Sequence, residues 1–171
     1  VRRSVGAFVI VLVLVLLTGC GPARPDRTDT VGDGLVLPSL SVRHHALDPY
    51  AYGYRLEGST RRSMRDAHAG RQHVDVPTRD RLRLRLVSGF RARVLYVGTF
   101  EHLDAHGGPA DGGDQYDCLT GPECAQTPRA GSLSIEVPIR ATTRAIVVRS
   151  RFELPDHGTL DVVWRFELRQ S

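Results

Sequence analysis

Apolar and polar residues alternate along much of this chain with the two-residue period of strands that bury one face. The clearest case is Leu82 to Leu86, where Leu82, Leu84 and Leu86 fall on one face and Arg83 and Arg85 on the other. Leu160 to Leu168 repeats it, setting Val162, Trp164, Phe166 and Leu168 against Asp161, Arg165 and Glu167. Ser132 to Ile139 groups Leu133, Ile135, Val137 and Ile139 in the same way. Shorter β-prone runs cover Leu35 to Val42, Tyr50 to Leu56, Gln72 to Val76, Arg93 to Phe100 and Arg144 to Leu154. Between the last two strands, Leu154-Pro-Asp-His-Gly158 offers Pro and Asp centrally and Gly for a left-handed position, which is a hairpin signal.

Eight short strands with few helical windows predict an all-β fold, an antiparallel β-sandwich. An immunoglobulin-like topology is compatible with this pattern, but the inter-sheet Cys-Trp-Cys framework is missing, so the pattern specifies an architecture and not a family. One short helix is expected from Ser63 to Ala69, where Ser63 and Asp66 form an S-x-x-D cap. The glycine-rich connection from His102 to Ala130 reads as a long loop, and loops of that length in compact domains are usually functional or disordered.

Ahead of the strands, Arg2 and Arg3 precede an apolar run from Ala7 to Leu17, which ends in Leu17-Thr18-Gly19-Cys20. A run of about eleven residues suits the core of an export signal and is too short to span a bilayer as a helix. This order of basic start, apolar core, small residues and cysteine resembles the signal peptide of bacterial lipoproteins. The resemblance covers the first twenty residues only. It implies export, cleavage before Cys20, and a diacylglycerol thioether on Cys20 that carries two acyl chains such as palmitate. Such a protein works outside the cytoplasm, anchored to the cell membrane through Cys20, because each buried methylene contributes about 0.8 kcal/mol to attachment. The expected organisation is a signal peptide over residues 1–19, a lipidated N-terminus and flexible linker over 20–34, and a β-sandwich domain over 35–171.

Charge adds a local asymmetry. All 23 basic residues are Arg, a bias expected of GC-rich coding, so an arginine on a solvent face is not by itself a signal. Without residues 1–19, 21 arginines face 19 acids, a net of +2, and nucleic acid is not an expected partner. From Arg55 to Arg93, however, eleven arginines stand against four acids, while from Glu101 to Glu136 seven acids stand against one arginine, enough to polarise the domain.

Cys118 and Cys124 form an even pair in an exported chain and are expected to be a disulfide, closing a small ring with Gly121-Pro122 at its bend. Asp104, Asp111, Asp114 and Asp117 supply carboxylates on a bendable backbone, the donor style of calcium sites, although the spacing matches no helix-loop-helix pattern. A solvated acidic loop is the simpler reading, with calcium or a transition metal as the alternative and no resident cofactor required. His102 and His106 have zinc spacing only on a helix, which Gly107-Gly108-Pro109 disfavours, and His44-His45 would point oppositely on a strand. No nucleophile motif of the G-x-S-x-G or S-x-x-K kind is present, and no phosphate-cradling loop. The arginines Arg81, Arg83 and Arg85 instead form a stripe that, with Arg61, Arg62, Arg65, Arg71, Arg91 and Arg93, can face an anionic polymer or lipid headgroups. The expectation is therefore a non-catalytic binding or interaction module of the cell envelope, meeting an envelope protein or an anionic polymer; a metal-binding extracytoplasmic protein, with hydrolysis as one activity, is the second reading.

Overall fold

The computed structural model describes residues 30–31, 34–56, 59–64, 71–106, 108–110 and 113–171. Residues 1–29, which hold the expected signal peptide, Cys20 and most of the expected linker, lie outside the described residues, as do Arg65 and Asp111. Within them there is no α-helix, and the chain forms antiparallel sheets that pack as a β-sandwich.

The strands are β1 (Thr30–Val31), β2 (Leu35–Val36), β3 (Ser39–Val42), β4 (His45–Leu47), β5 (Ala51–Leu56), β6 (Ser59–Met64) and β7 (His73–Val76). They continue with β8 (Arg81–Val87), β9 (Arg91–Phe100), β10 (Asp114–Asp117), β11 (Ala125–Arg129), β12 (Ser132–Pro138), β13 (Ala145–Glu153) and β14 (Thr159–Gln170). One sheet has five strands in the order β11-β12-β8-β3-β4. The other has seven, in the order β10-β9-β13-β14-β5-β6, with β7 also on β14. The pairing of β7 with β14 is parallel and the remaining pairs are antiparallel.

The alternation seen in the sequence is the alternation of burial. Leu82, Leu84 and Leu86 are buried while Arg81, Arg83 and Arg85 are exposed. From the facing sheet, Val162, Trp164, Phe166 and Leu168 meet them, with Leu95, Val97, Ile146, Val148 and Phe152 completing the core. Each such side chain taken from water contributes about 1.5–3 kcal/mol, so the two inner faces are what hold the layers together.

The strand β14 is the organiser of the larger sheet. One edge pairs with β13 along its length, from Glu153↔Thr159 to Ala145↔Glu167. The other edge is shared end to end, β5 taking residues 159–163 and β7 taking residues 167–170. Gln72 fills the gap between them: its Oε1 accepts from the Asp48 N–H at 2.7 Å, its Nε2 donates to the Asp48 carbonyl at 2.8 Å, and its own carbonyl accepts from the Glu167 N–H.

Four expectations are corrected. The helix from Ser63 to Ala69 does not begin at Ser63, because Ser63 and Met64 close β6 and pair with Tyr52 and Ala51; the bare edge of β5 takes a strand partner there. Residues 65–69 lie outside the described residues. The connection from His102 to Ala130 contains two strands, β10 and β11. Neither shows apolar alternation; β11 is exposed at every position and is held by backbone pairing to β12. In the β13–β14 hairpin the left-handed residues are Asp156 and His157, with φ of 55° and 59°, and not Gly158. The Gly158 N–H donates to the Pro155 carbonyl at 3.1 Å, so Asp156 and His157 are the central pair of a tight turn with positive φ at both positions, as type I′ requires. Glycine serves at 158 because a Cβ there would lie 2.9 Å from the Arg55 carbonyl oxygen. Finally, residue 34 is not a free linker end: Gly34, at φ +72°, turns the chain between the paired β1 and β2.

Candidate functional site, an arginine groove on the five-stranded sheet

The outer face of the five-stranded sheet is assembled by register. In one cross-strand row Thr127, Ser134, Arg85 and Ser41 are neighbours; in the next, Ala125, Glu136 and Arg83. Small hydroxyl side chains on β11, β12 and β3 thus leave a hollow beside the long arginines of β8. Arg43 enters from the β3–β4 turn, where it holds a left-handed φ of 57°, and Arg79 from the segment before β8. Arg129 closes the far side from β11. The resulting groove has a volume of about 630 Å³. Six arginines line it, Arg43, Arg79, Arg81, Arg83, Arg85 and Arg129, against two carboxylates, Asp80 and Glu136.

The arginines are not equivalent. Arg81 donates from Nη2 to the Glu123 carbonyl at 3.2 Å and from Nη1 to the Glu136 carbonyl at 3.3 Å, so it ties β8 to the disulfide ring. Arg83 donates through Nε to Glu136 Oε1 at 2.9 Å and is ion-paired with it through Nη2. With Arg83 73% exposed, water screens that pair to at most about 1 kcal/mol. Arg43, Arg79 and Arg129 have no hydrogen-bond or ion-pair partner among the described residues. Guanidinium forks over hydroxyl donors form a surface that takes phosphate or carboxylate oxygens in charge-assisted, bidentate pairs.

The stripe Arg81, Arg83, Arg85 therefore does come together on one face, but all three of its members already have partners. Arg43, Arg79 and Arg129, which sequence reasoning missed, supply the open guanidinium groups. Arg129 was hidden in the stretch read as loop, and Arg43 reaches the site only through the pairing of β3 with β8. The remaining candidates, Arg61, Arg62, Arg71, Arg91 and Arg93, do not line this groove. Arg71 is near Glu167, and Arg93 is paired with Glu153.

The cysteines sit where the chain changes sheets. Cys118 follows β10 of the larger sheet, Cys124 precedes β11 of the smaller, and the two are joined as expected. Asp117 shapes the ring: one carboxylate oxygen accepts from the Leu119 N–H at 2.9 Å and the other from the Thr120 hydroxyl at 2.6 Å. These bonds hold its pKa below the usual carboxylate range, the Thr120 hydroxyl contributing most.

The acidic residues are placed separately. Asp104 accepts from the Gly108 and His106 N–H groups, and the Gly108 bond above all lowers its pKa. Asp114 pairs with Arg140 at 2.9 Å. Arg140 also meets Glu101 at 3.3 Å, while the Thr142 hydroxyl donates to Glu101 at 2.8 Å. The Thr142 bond and then Arg140 lower the Glu101 pKa. Among the described residues no three His, Cys, Asp or Glu side chains come together as a metal-binding group. Asp104, Asp114 and Asp117 are each spent on the chain's own donors, and His102, His106, His44 and His45 join no such group.

No family model, no curated protein and no solved structure matches this chain.

Proposed function

We propose that this is a lipid-anchored protein of the cell envelope whose domain is a non-catalytic binding module, taking an anionic polymer in the groove on the five-stranded sheet. The observation that carries the reading is the groove itself: six arginines against two carboxylates, over a floor of Ser and Thr hydroxyls. The lipobox-like Leu17-Thr18-Gly19-Cys20 supports the anchor. The disulfide supports the absence of thiol chemistry, since Cys118 and Cys124 offer no thiolate.

Two experiments test it. A fatty-acid label fed to expressing bacteria should enter the full chain and be lost in Cys20→Ser; equal labelling of both forms overturns the anchor. The full chain purified in detergent should bind inorganic polyphosphate, and Arg43→Glu with Arg129→Glu should weaken binding at the groove at least tenfold, which is about 1.4 kcal/mol. Unchanged affinity there overturns the groove as the binding site.

A further inference from the structure

The outer face of the seven-stranded sheet carries a second groove, built by the same physics from different residues. Its floor is made of small side chains: Val163 and Ala51 are cross-strand neighbours, and Asp161 opposes Gly53 in the next row. Its walls are long ones. Arg149 and Arg151 rise from β13, Arg55 from β5, and Arg62, the cross-strand partner of Gly53, from β6. Thr60 and Thr159 add hydroxyls beside Arg55, their common cross-strand partner. The hollow has a volume of about 670 Å³, close to that of the first.

Its charge is more one-sided. Four arginines, Arg55, Arg62, Arg149 and Arg151, face one carboxylate, Asp161, which Arg151 already holds through Nε at 2.8 Å and Nη2 at 3.3 Å. Arg55, Arg62 and Arg149 are exposed and have no hydrogen-bond or ion-pair partner among the described residues. Three like charges gathered over a floor that demands none of them repel one another, and an anion relieves that repulsion. Neighbouring strands are about 4.8 Å apart and alternate residues about 6.5–7 Å apart, so the guanidinium groups form a lattice of repeating positive sites. A linear chain with one phosphate per repeat satisfies several of them at once, which a single small anion does not.

We infer that the domain is bivalent, holding one phosphate-bearing polymer chain in each of two grooves on opposite faces of the sandwich and so cross-linking them. The grooves are opposed because each lies on the solvent side of its sheet, while the inner sides meet in the core. The choice of ligand rests on the function proposed above; the existence of a second site does not.

The test uses the full chain in detergent and, as probe, a short inorganic polyphosphate of defined length, titrated calorimetrically. Two polyphosphate chains per protein are expected. Arg62→Glu with Arg149→Glu should leave one, Arg43→Glu with Arg129→Glu should leave one, and all four together none. With long-chain polyphosphate the unaltered protein should give light scattering that rises and then falls with mixing ratio, and either pair of substitutions should abolish it. A stoichiometry of one, lost only with Arg43 and Arg129, overturns the second site and leaves the first. A stoichiometry of one, lost only with Arg62 and Arg149, overturns both bivalence and the groove proposed above. Absence of binding overturns the ligand class for both, and full binding by the fourfold variant overturns both sites. The fluorescence melt of the buried Trp164 confirms that each variant is folded, as substitution of exposed side chains without partners should leave it.

Discussion

Opening the Cys118–Cys124 ring tests whether the crossing between the sheets depends on it. The ring spans a sequence separation of 6, from the end of β10 to the start of β11. Chain-entropy arithmetic for a loop of about seven residues gives roughly 2.4 kcal/mol at 25 °C. For a domain of about 140 residues, each kcal/mol moves the melt by about 3–5 °C, so refolding in reductant should lower Tm by about 7–12 °C. Substituting both cysteines by alanine should cost more. Cys118 is fully buried and Cys124 nearly so. Removing two sulfur atoms of roughly methylene size adds about 1.5 kcal/mol, bringing the fall to about 12–20 °C. The assay is direct because Trp164, the only tryptophan, is fully buried in the core, so its emission reports loss of packing between the sheets. A drop below about 3 °C on reduction would refute the reasoning. It would mean that the Asp117 bonds and the Arg81 donation to the Glu123 carbonyl fix the crossing without a covalent link.

Three further outcomes are expected. Glu136→Gln removes the carboxylate that occupies Arg83, so polyphosphate affinity should rise and its salt dependence steepen, while the melt changes by less than about 1 kcal/mol; weaker binding would show that Glu136 positions Arg83 for the ligand. The folded-state pKa values of Glu101, Asp104 and Asp117 are depressed, so the stability they give is complete above their unfolded values and is lost as pH falls through the folded ones. The acid limb of Tm against pH should therefore flatten in Asp117→Asn, and an unaltered limb would assign acid sensitivity elsewhere. In the β13–β14 turn, His157→Gly should raise stability by up to about 1 kcal/mol by relieving a left-handed φ, whereas Gly158→Ala should lower it because its Cβ meets the Arg55 carbonyl and Leu154. Denaturant midpoints that order these two oppositely would overturn the account of the turn.

What could be read from the chain alone was set by side-chain periodicity. Strands with one face in the core, such as Leu82 to Leu86 and Leu160 to Leu168, declare themselves because burial selects every second residue. The strand β11 buries nothing and includes Pro128, so its sequence, Ala-Gln-Thr-Pro-Arg, carries no such record; it exists because β12 offers an edge. The strand β6, whose Ser63 looked like a helix cap, likewise takes its place by pairing with the edge of β5. The groove was half legible for a related reason. Spacing along one strand exposes the stripe Arg81, Arg83, Arg85, but partners across strands follow from register. Glu136 lies opposite Arg83 through a pairing that joins residues more than fifty positions apart, and local pattern holds no information about it.

The arrangement around β14 has a kinetic consequence. Residues 159–170 follow every other strand in the sequence, yet β13, β5 and β7 all bond to them. The pair Val163↔Ala51 closes across more than a hundred residues. Topologies dominated by such distant contacts fold in milliseconds to seconds. Synthesis proceeds at about 5–20 residues per second, so the emerging chain has time to collapse but lacks the strand on which its larger sheet is built. A chain stopped at residue 158 should remain protease-sensitive, whereas one continued through Gln170 should become resistant within seconds of release.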